Sequence, residues 1–409
     1  MDDATWWLRC RSCAVLRVPG SVDYVCAGCG GELVVEYAAP SATPRAGITG
    51  LWRWGDRLPL RSAAHIITLG EGGTPQVRLG TRIHQELGVA SAEVKCEHLN
   101  PTGSFKDRIA SVAVSLAAER GLSGLAGTSS GNGGAAAAAY TARSGMPLTL
   151  FSLSDVAPQK LLQIRALGGR VLLVQGLGHD GSATMRAATA VARHSAEKGV
   201  MPFLTGGRYS PEAMEGAVTI AYEIAEDRPA TTVVYCPVGG GGLLSAIGRG
   251  FRAQAPHVRL VGVQPRGCAT LSRAMRGDFS GLPGPVTTGV SGLQVGVLFD
   301  GPGSVEAITQ SGGHLTEVDD DAIAAAQRLL AREEGILVEP AGATALAGAL
   351  ADAARGLLRS DDHVVLVATG AGWKDTASLQ HLLSDAGGLV PSVPVITIDE
   401  IEEVLGERL

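Results

Sequence analysis

The chain has 409 residues, 34 Lys plus Arg against 40 Asp plus Glu, and a formal net charge of −6. At 45% hydrophobic and 18% charged residues it is long enough for two or three domains with substantial cores. The acidic balance, without any basic block, argues against nucleic acid as a partner, and no apolar run reaches the roughly 18 residues that a membrane helix needs.

The first ten residues, MDDATWWLRC, are acidic and carry no signal-peptide pattern, so a cytoplasmic protein with reduced cysteines is expected. Cys10, Cys13, Cys26 and Cys29 form two CxxC knuckles. Four thiolates at that spacing predict a structural tetrahedral zinc site, since they leave no coordination position open. A ribbon that folds without metal, or cysteines that pair on oxidation, are the alternatives. Residues 1–38 read as a zinc-ribbon-like segment and 39–47 as a Pro/Ala/Ser-rich linker. Beyond them, HIITL (65–69), LTLFSL (148–153), RVLLVQG (170–176), TTVVYCPV (231–238), VRLVGVQP (258–265) and HVVLVAT (363–369) read as strands. They are continuous apolar runs, the mark of strands buried on both faces of a parallel sheet. Helical patterns fall between them at 107–121, 131–144, 157–168, 181–199, 211–227, 242–254, 318–334 and 340–355. This alternation predicts an α/β fold with mostly parallel sheets. The tail, 386–409, is expected to end in a short acidic helix.

Three Gly-rich elements sit where a strand meets a helix: TSSGNGGAAAAAY (128–140), PVGGGGLLSA (237–246) and ATGAGWKD (368–375). In α/β sheets ligands bind beyond the carboxyl ends of the strands. Four consecutive glycines, Gly239 to Gly242, allow backbone N–H groups to converge on a phosphate at a helix N-terminus. No Lys-Ser/Thr follows, which excludes a P-loop, and GxGxxG spacing is missing, which argues against a dinucleotide. A lone phosphate fits better. One of only five lysines, Lys106, lies in EHLNPTGSFKDRIA (97–110), after a Pro-Thr-Gly-Ser turn and an aromatic, Phe105. A lysine in a turn and a phosphate cradle together are what pyridoxal 5′-phosphate requires: a Schiff base to the ε-amine and a seat for the phosphate.

Six motifs make the pattern specific. LGEGGTP (69–75), NPTGSFKDR (100–108), SSGNGGAA (129–136), PVGGGGLL (237–244), VEPAGA (338–343) and TGAGWKD (369–375) occur in this order. The chain resembles the threonine synthase-like enzymes of the fold-type II (tryptophan synthase beta-like) pyridoxal phosphate family over about residues 5–385, cysteine ribbon included. The resemblance implies a large cofactor-binding domain (48–105 and 200–385) and a small mobile one (106–199). It implies that Lys106 holds the cofactor and removes the Cα proton, and that Asn132 hydrogen-bonds the ring 3′-oxygen. Ser129, Ser130, Gly131 and Gly133 would grip the substrate carboxylate. Gly239, Gly240, Gly241 and Gly242 would hold the cofactor phosphate. Thr369 would face the pyridine nitrogen; a hydroxyl there makes the ring a weaker electron sink than an aspartate does, which suits elimination and replacement at Cβ or Cγ. Asp107 and Arg108, at the start of a helix, read as structural.

The resemblance also has departures. Synthases proper usually carry a Gly-Asn-Ala-Gly-Asn phosphate loop and an Asn-Pro-Tyr-Arg-x-Glu-Gly segment. Here YSPEAMEG (209–216) keeps Glu215 and Gly216 but has Ser210, Glu212 and Ala213 where Asn, Tyr and Arg are usual. Pointing inward, Glu212 would repel a phosphorylated substrate. Trp373 stands where a smaller aliphatic is usual, and His98 is untypical. Lys160, Arg165 and Arg208 remain as phosphate-binding candidates. The expected partner is a small amino acid, and a homodimer is the default assembly. The reaction implied is γ-elimination with β-addition, giving threonine from O-phosphohomoserine. The alternative is β-replacement or β-elimination on a serine-type amino acid, as in cysteate synthase-like or dehydratase-like enzymes. A cofactor-binding protein without catalysis is the third reading, and Lys106, Asn132 and Thr369 argue against it.

Overall fold

The computed structural model describes residues 5–38, 42–129, 131–383 and 393–408. Ser130 and the start of the tail, to residue 392, lie outside the described residues. The ribbon is a three-stranded antiparallel sheet in which β1 (Trp6–Cys10) lies between β2 (Leu16–Arg17) and β3 (Leu33–Tyr37). β4 (Gln76–Arg78) and β5 (Ser91–Lys95) begin a six-stranded sheet. The chain then builds a second sheet, all parallel, from β6 (Leu125–Ser129), β7 (Leu148–Leu153), β8 (Arg170–Val174) and β9 (Met201–Phe203), in the order β8-β7-β6-β9. β10 (Val233–Pro237), β11 (Arg259–Pro265), β12 (His314–Val318) and β13 (His363–Val367) complete the larger sheet as β12-β11-β10-β13-β5-β4. In it only β4, at the edge, runs antiparallel. β10 shows why apolar runs read as parallel strands: it is flanked by β11 and β13, and all five of its residues are buried.

The helices fall close to their predicted places: Lys106–Glu119, Asn132–Ser144, Pro158–Ala166, Gly181–Lys198, Glu215–Asp227, Gly242–Gln254, Asp320–Glu333 and Pro340–Ala354. The Ala/Gly-rich Asn132–Ser144 has Ala135 to Ala138 fully buried, because small side chains let it pack against Lys106–Glu119. A short helix, Ile401–Arg408, ends the chain as expected.

The predicted strand at 65–69 is not one. Ile67 N–H donates to Ser115 Oγ (2.8 Å) and Ile67 O accepts from Ser111 Oγ (2.8 Å), so serines of a helix satisfy the backbone in place of a neighbouring strand. Strands at 76–78, 91–95, 125–129, 201–203 and 314–318, and helices Thr81–Leu87, Thr270–Met275, Gly301–Gln310 and Thr376–Leu383, lack the signal sought in the sequence. β6, LAGTS, has a reason: a Cβ on Gly127 would stand 2.1 Å from Phe203 O, so close backbone approach replaces the branched residues typical of strands. Among the described residues no helix is long and apolar enough to cross a membrane.

Candidate active site

The lysine turn joins β5 to the helix Lys106–Glu119. Gly103 takes a φ of +84°, which glycine adopts without strain, and a Cβ there would lie 2.7 Å from the Trp373 ring. Phe105 N–H donates to Thr369 O (3.1 Å) and Ser104 bridges Gly370, so the turn is laced to the third Gly-rich element. Lys106 is the first residue of its helix, its Nζ 4.5 Å from the centre of the Phe105 ring. Its side chain keeps an opening to solvent, yet it is enclosed enough that burial lowers the ammonium pKa to about 8, against the opposing pull of Asp300 and Glu339.

Glu339 organises the facing wall. Asn132 Nδ2 donates to Glu339 Oε1 (2.5 Å), and the Lys160 ammonium lies 3.0 Å from Oε2 and donates to Ser291 Oγ (3.2 Å). Gly131, with φ +123°, lets the Lys160 chain cross: a Cβ there would stand 2.4 Å from Lys160 Cδ. Ser129 Oγ accepts from the N–H groups of Gly131 (3.0 Å) and Gly134 (2.6 Å), while Gly133 packs beside it. Lys374 Nζ donates to Thr102 O (2.7 Å), which also receives Gln163 Nε2 (3.3 Å). Burial lowers the Lys374 pKa to about 8. A cavity of about 90 Å³ adjoins Ser129 and Gly240, lined partly by Leu153, Leu177, Val295 and Phe299.

The glycine run closes the third side. Asp300 N–H donates to Gly240 O (3.0 Å) and Ser304 Oγ to Gly241 O (3.0 Å). In a trans peptide the N–H points opposite to the C=O. The N–H groups of Gly241 and Gly242 therefore face away from the helix Gly301–Gln310. A Cβ on Gly241 would lie 2.4 Å from Ser304 Oγ, and one on Gly242 2.8 Å from Asp300 Oδ2; only glycine fits this loop. The donor set matches pyridoxal phosphate. Buried Asn132 Oδ1 and Ser104 Oγ have no partner among the described residues, and buried polar atoms are normally paired with protein, water or a bound group.

Lys106, Asn132, Ser129, Gly131, Gly133, Lys160, Gly239 to Gly242 and Thr369 thus belong to one connected set. Ser130 lies outside the described residues. Arg208 does not join them: its guanidinium, 47% exposed, faces Glu32 of the ribbon at 3.6 Å. Arg165 is exposed on its helix. Glu212 does not point inward either. It is buried against Arg120 in two hydrogen bonds (2.8 and 2.6 Å) and accepts from Tyr24 of the ribbon. Ser210 Oγ holds backbone at Pro202 and Leu204. Trp373 is half exposed beside the lysine turn, and burial lowers the pKa of His98, whose Nδ1 has no partner among the described residues. Glu339, Lys374, Asp300 and Ser304 were missed as site residues; Glu339 and Lys374 stand inside the VEPAGA and TGAGWKD motifs, whereas nothing local distinguishes Asp300 or Ser304.

Beneath the site, Arg108 is fully buried between Glu97 (2.7 and 2.8 Å) and Glu223 (2.7 and 2.7 Å), and Lys95 pairs with Glu223 at 2.7 Å. Asp107 accepts from Thr102 N–H and Oγ1, both at 3.0 Å, and burial raises its pKa to about 7. Both residues hold the lysine turn from below.

In the ribbon the four cysteine sulfurs lie within 4.8 Å of one another, with Cys10 to Cys29 at 3.5 Å and Cys13 to Cys26 at 3.6 Å. A tetrahedral zinc with ~2.3 Å arms sets its sulfurs about 3.8 Å apart, so the cluster is compatible with that ion.

The family described as pyridoxal-phosphate dependent enzyme matches residues 67–370. The chain belongs to it. The enzyme is 34% identical over 390 residues to a threonine synthase of Methanocaldococcus jannaschii, covering 90% of this chain and 92% of that protein. It is 31% identical to a threonine synthase of Methanosarcina acetivorans, covering 97% and 98%. Among solved structures it resembles a threonine deaminase from Solanum lycopersicum, with a TM-score of 0.66 and 25% identity over 85% of this chain and 94% of that one. Maize serine racemase, at 23% identity and TM-score 0.62 over 82% of this chain and 93% of that one, shares the fold. The enzyme is an α/β fold-type II protein and a threonine synthase-like lyase dependent on pyridoxal phosphate.

Proposed function

We propose that the enzyme converts O-phosphohomoserine to threonine. The observation that carries this reading is a cluster in which two buried ammonium groups, Lys160 and Lys374, bear on one carboxylate, Glu339, beside Lys106, so that cations outnumber that carboxylate there. Buried ammonium groups act as point charges for a phosphate, and Glu212, paired with Arg120, does not oppose them. Arg208 faces Glu32 of the ribbon and takes no part in this substrate set. The relatives named threonine synthase support the same reading.

Bound pyridoxal phosphate supplies the electron sink that acidifies the substrate Cα–H. Lys106 would hold the cofactor and then, as a neutral amine, take the Cα proton. Gly239 to Gly242 would seat the cofactor phosphate through N–H groups, Asn132 would donate to the ring 3′-oxygen, and Thr369 would face the ring nitrogen. Ser129 Oγ already accepts two N–H groups, which leaves its own proton to donate to the substrate carboxylate, with Gly131 and Gly133 shaping that loop. The mobile domain, read as 106–199, holds three of the smaller sheet's four strands, while β9 (Met201–Phe203) is supplied from beyond it; its movement would close the cleft and exclude water. The cysteine cluster would hold a structural zinc.

The test is product analysis with O-phosphohomoserine, O-phosphoserine, O-acetylserine and serine. Threonine and inorganic phosphate released one-to-one from O-phosphohomoserine are expected. Pyruvate or β-replaced products from the serine-type substrates, with no threonine formed, would replace this reading by the serine-type alternative.

A further inference from the structure

The back of the glycine cradle is not free. Its two orienting contacts come from Asp300 and Ser304, at the start of the helix Gly301–Gln310. That helix is tied further along by Glu306. Glu306 accepts from Arg252 (2.6 Å), on the helix that leaves the cradle, and from Arg11 (2.5 Å), which lies between Cys10 and Cys13 of the ribbon. Arg11 also packs on Gly303, where a Cβ would meet its Nη2 at 3.0 Å. Only a small void of about 20 Å³ separates Arg11, Glu32 and Val34 of the ribbon from Gly242 and Asp300. Asp300 in turn accepts from the N–H groups of Gly207 (2.8 Å) and Arg208 (3.1 Å).

We propose that the ribbon is a buttress of the cofactor-phosphate cradle, with Arg11 as a positioning residue that acts through Glu306 and the helix Gly301–Gln310. The physical route is short. Arg11 and Arg252 fix Glu306; Glu306 fixes the helix; Ser304 and Asp300 fix the carbonyls of Gly241 and Gly240; the planar peptides then aim the Gly242 and Gly241 N–H groups. Shifting donors by a few tenths of an ångström weakens charge-assisted hydrogen bonds to a phosphate. A knuckle that loses its shape should therefore loosen the cofactor's phosphate, and leave the cofactor's ring contacts at Asn132 and Thr369 as they are. The inference rests on the reading of Gly239 to Gly242 as the phosphate seat.

The experiment measures dissociation constants of full-length apo-protein for pyridoxal 5′-phosphate and for pyridoxal, which lacks the phosphate, by fluorescence titration. Arg11→Met and Glu306→Gln are compared with wild type, and Arg11→Lys serves as the conservative rescue. Glu306→Gln leaves the knuckle sequence intact, so its result does not depend on ribbon folding. Both variants should bind pyridoxal phosphate at least about fivefold more weakly, the size of a modest coupling between sites. Pyridoxal affinity should stay unchanged and Arg11→Lys should recover most of the loss. Unchanged pyridoxal phosphate affinity in Glu306→Gln, or equal weakening of both ligands, overturns the buttress. Wild-type protein that binds pyridoxal as tightly as pyridoxal phosphate overturns the phosphate-seat reading instead.

Discussion

Apo-protein should capture pyridoxal phosphate at a rate set by the neutral fraction of Lys106, because only the unprotonated amine has a lone pair to attack the carbonyl. Burial lowers its pKa from 10.5 to about 8. At pH 7 about one molecule in ten then carries the neutral amine, against about one in 3,000 at the ordinary value, a gain of roughly 300-fold. The sign follows from the amine: the reactive form gains as pH rises and saturates once pH exceeds the pKa. The capture rate should climb about tenfold between pH 6 and 7 and flatten above about pH 8. Stopped-flow absorbance near ~420 nm follows the lysine-bound cofactor directly. Asp300 and Glu339 each favour the ammonium, so Glu339→Gln should move the break to lower pH, and Lys106→Ala should give no such band. A rate still rising tenfold per unit up to pH 10 would mean that Lys106 titrates at its ordinary value, and the argument from enclosure fails.

Arg108→Met leaves Glu97 buried without a cation, a loss of about 3–5 kcal/mol; thermal unfolding of the holoenzyme should show a large drop in Tm, and a change of a degree or less would refute the structural role. Lys374→Met should raise KM for O-phosphohomoserine about tenfold or more with the cofactor spectrum unchanged; an unaltered KM would remove Lys374 from the substrate site. Glu212→Gln should lower Tm by weakening the Arg120 and Tyr24 contacts while leaving KM alone; a lower KM for the phosphorylated substrate would show that Glu212 faces it after all. Metal analysis after dialysis should find roughly one zinc per chain, lost with Cys26→Ser, and a metal-free ribbon that keeps its Tm would contradict the zinc reading.

Much of this enzyme is legible along the chain because its signals are local. Parallel strands such as β10 announce themselves as unbroken apolar runs, since both faces are covered. Lys106 and Asn132 each follow a turn that needs glycine, Gly103 and Gly131, the four glycines form a third such loop, and the cysteine spacing already implies four converging thiolates. What the sequence could not settle is direction. Glu212 looks repulsive in the sequence, but the ribbon supplies Tyr24 and the helix Lys106–Glu119 ends at Arg120, and these hold it buried and paired, away from the cleft. Arg208 looks like a phosphate ligand until Glu32 draws it to the ribbon. Glu339 and Lys374 stand in motifs that identify the family, yet their contacts with Asn132, Lys160 and Thr102 join segments far apart in the chain. The linkage of Arg11 to the glycine cradle through Glu306 has no local signature either. Secondary structure and turn residues are fixed by neighbours within a few positions, whereas a side chain's aim and its pKa are set by whichever distant charges the packed fold brings near.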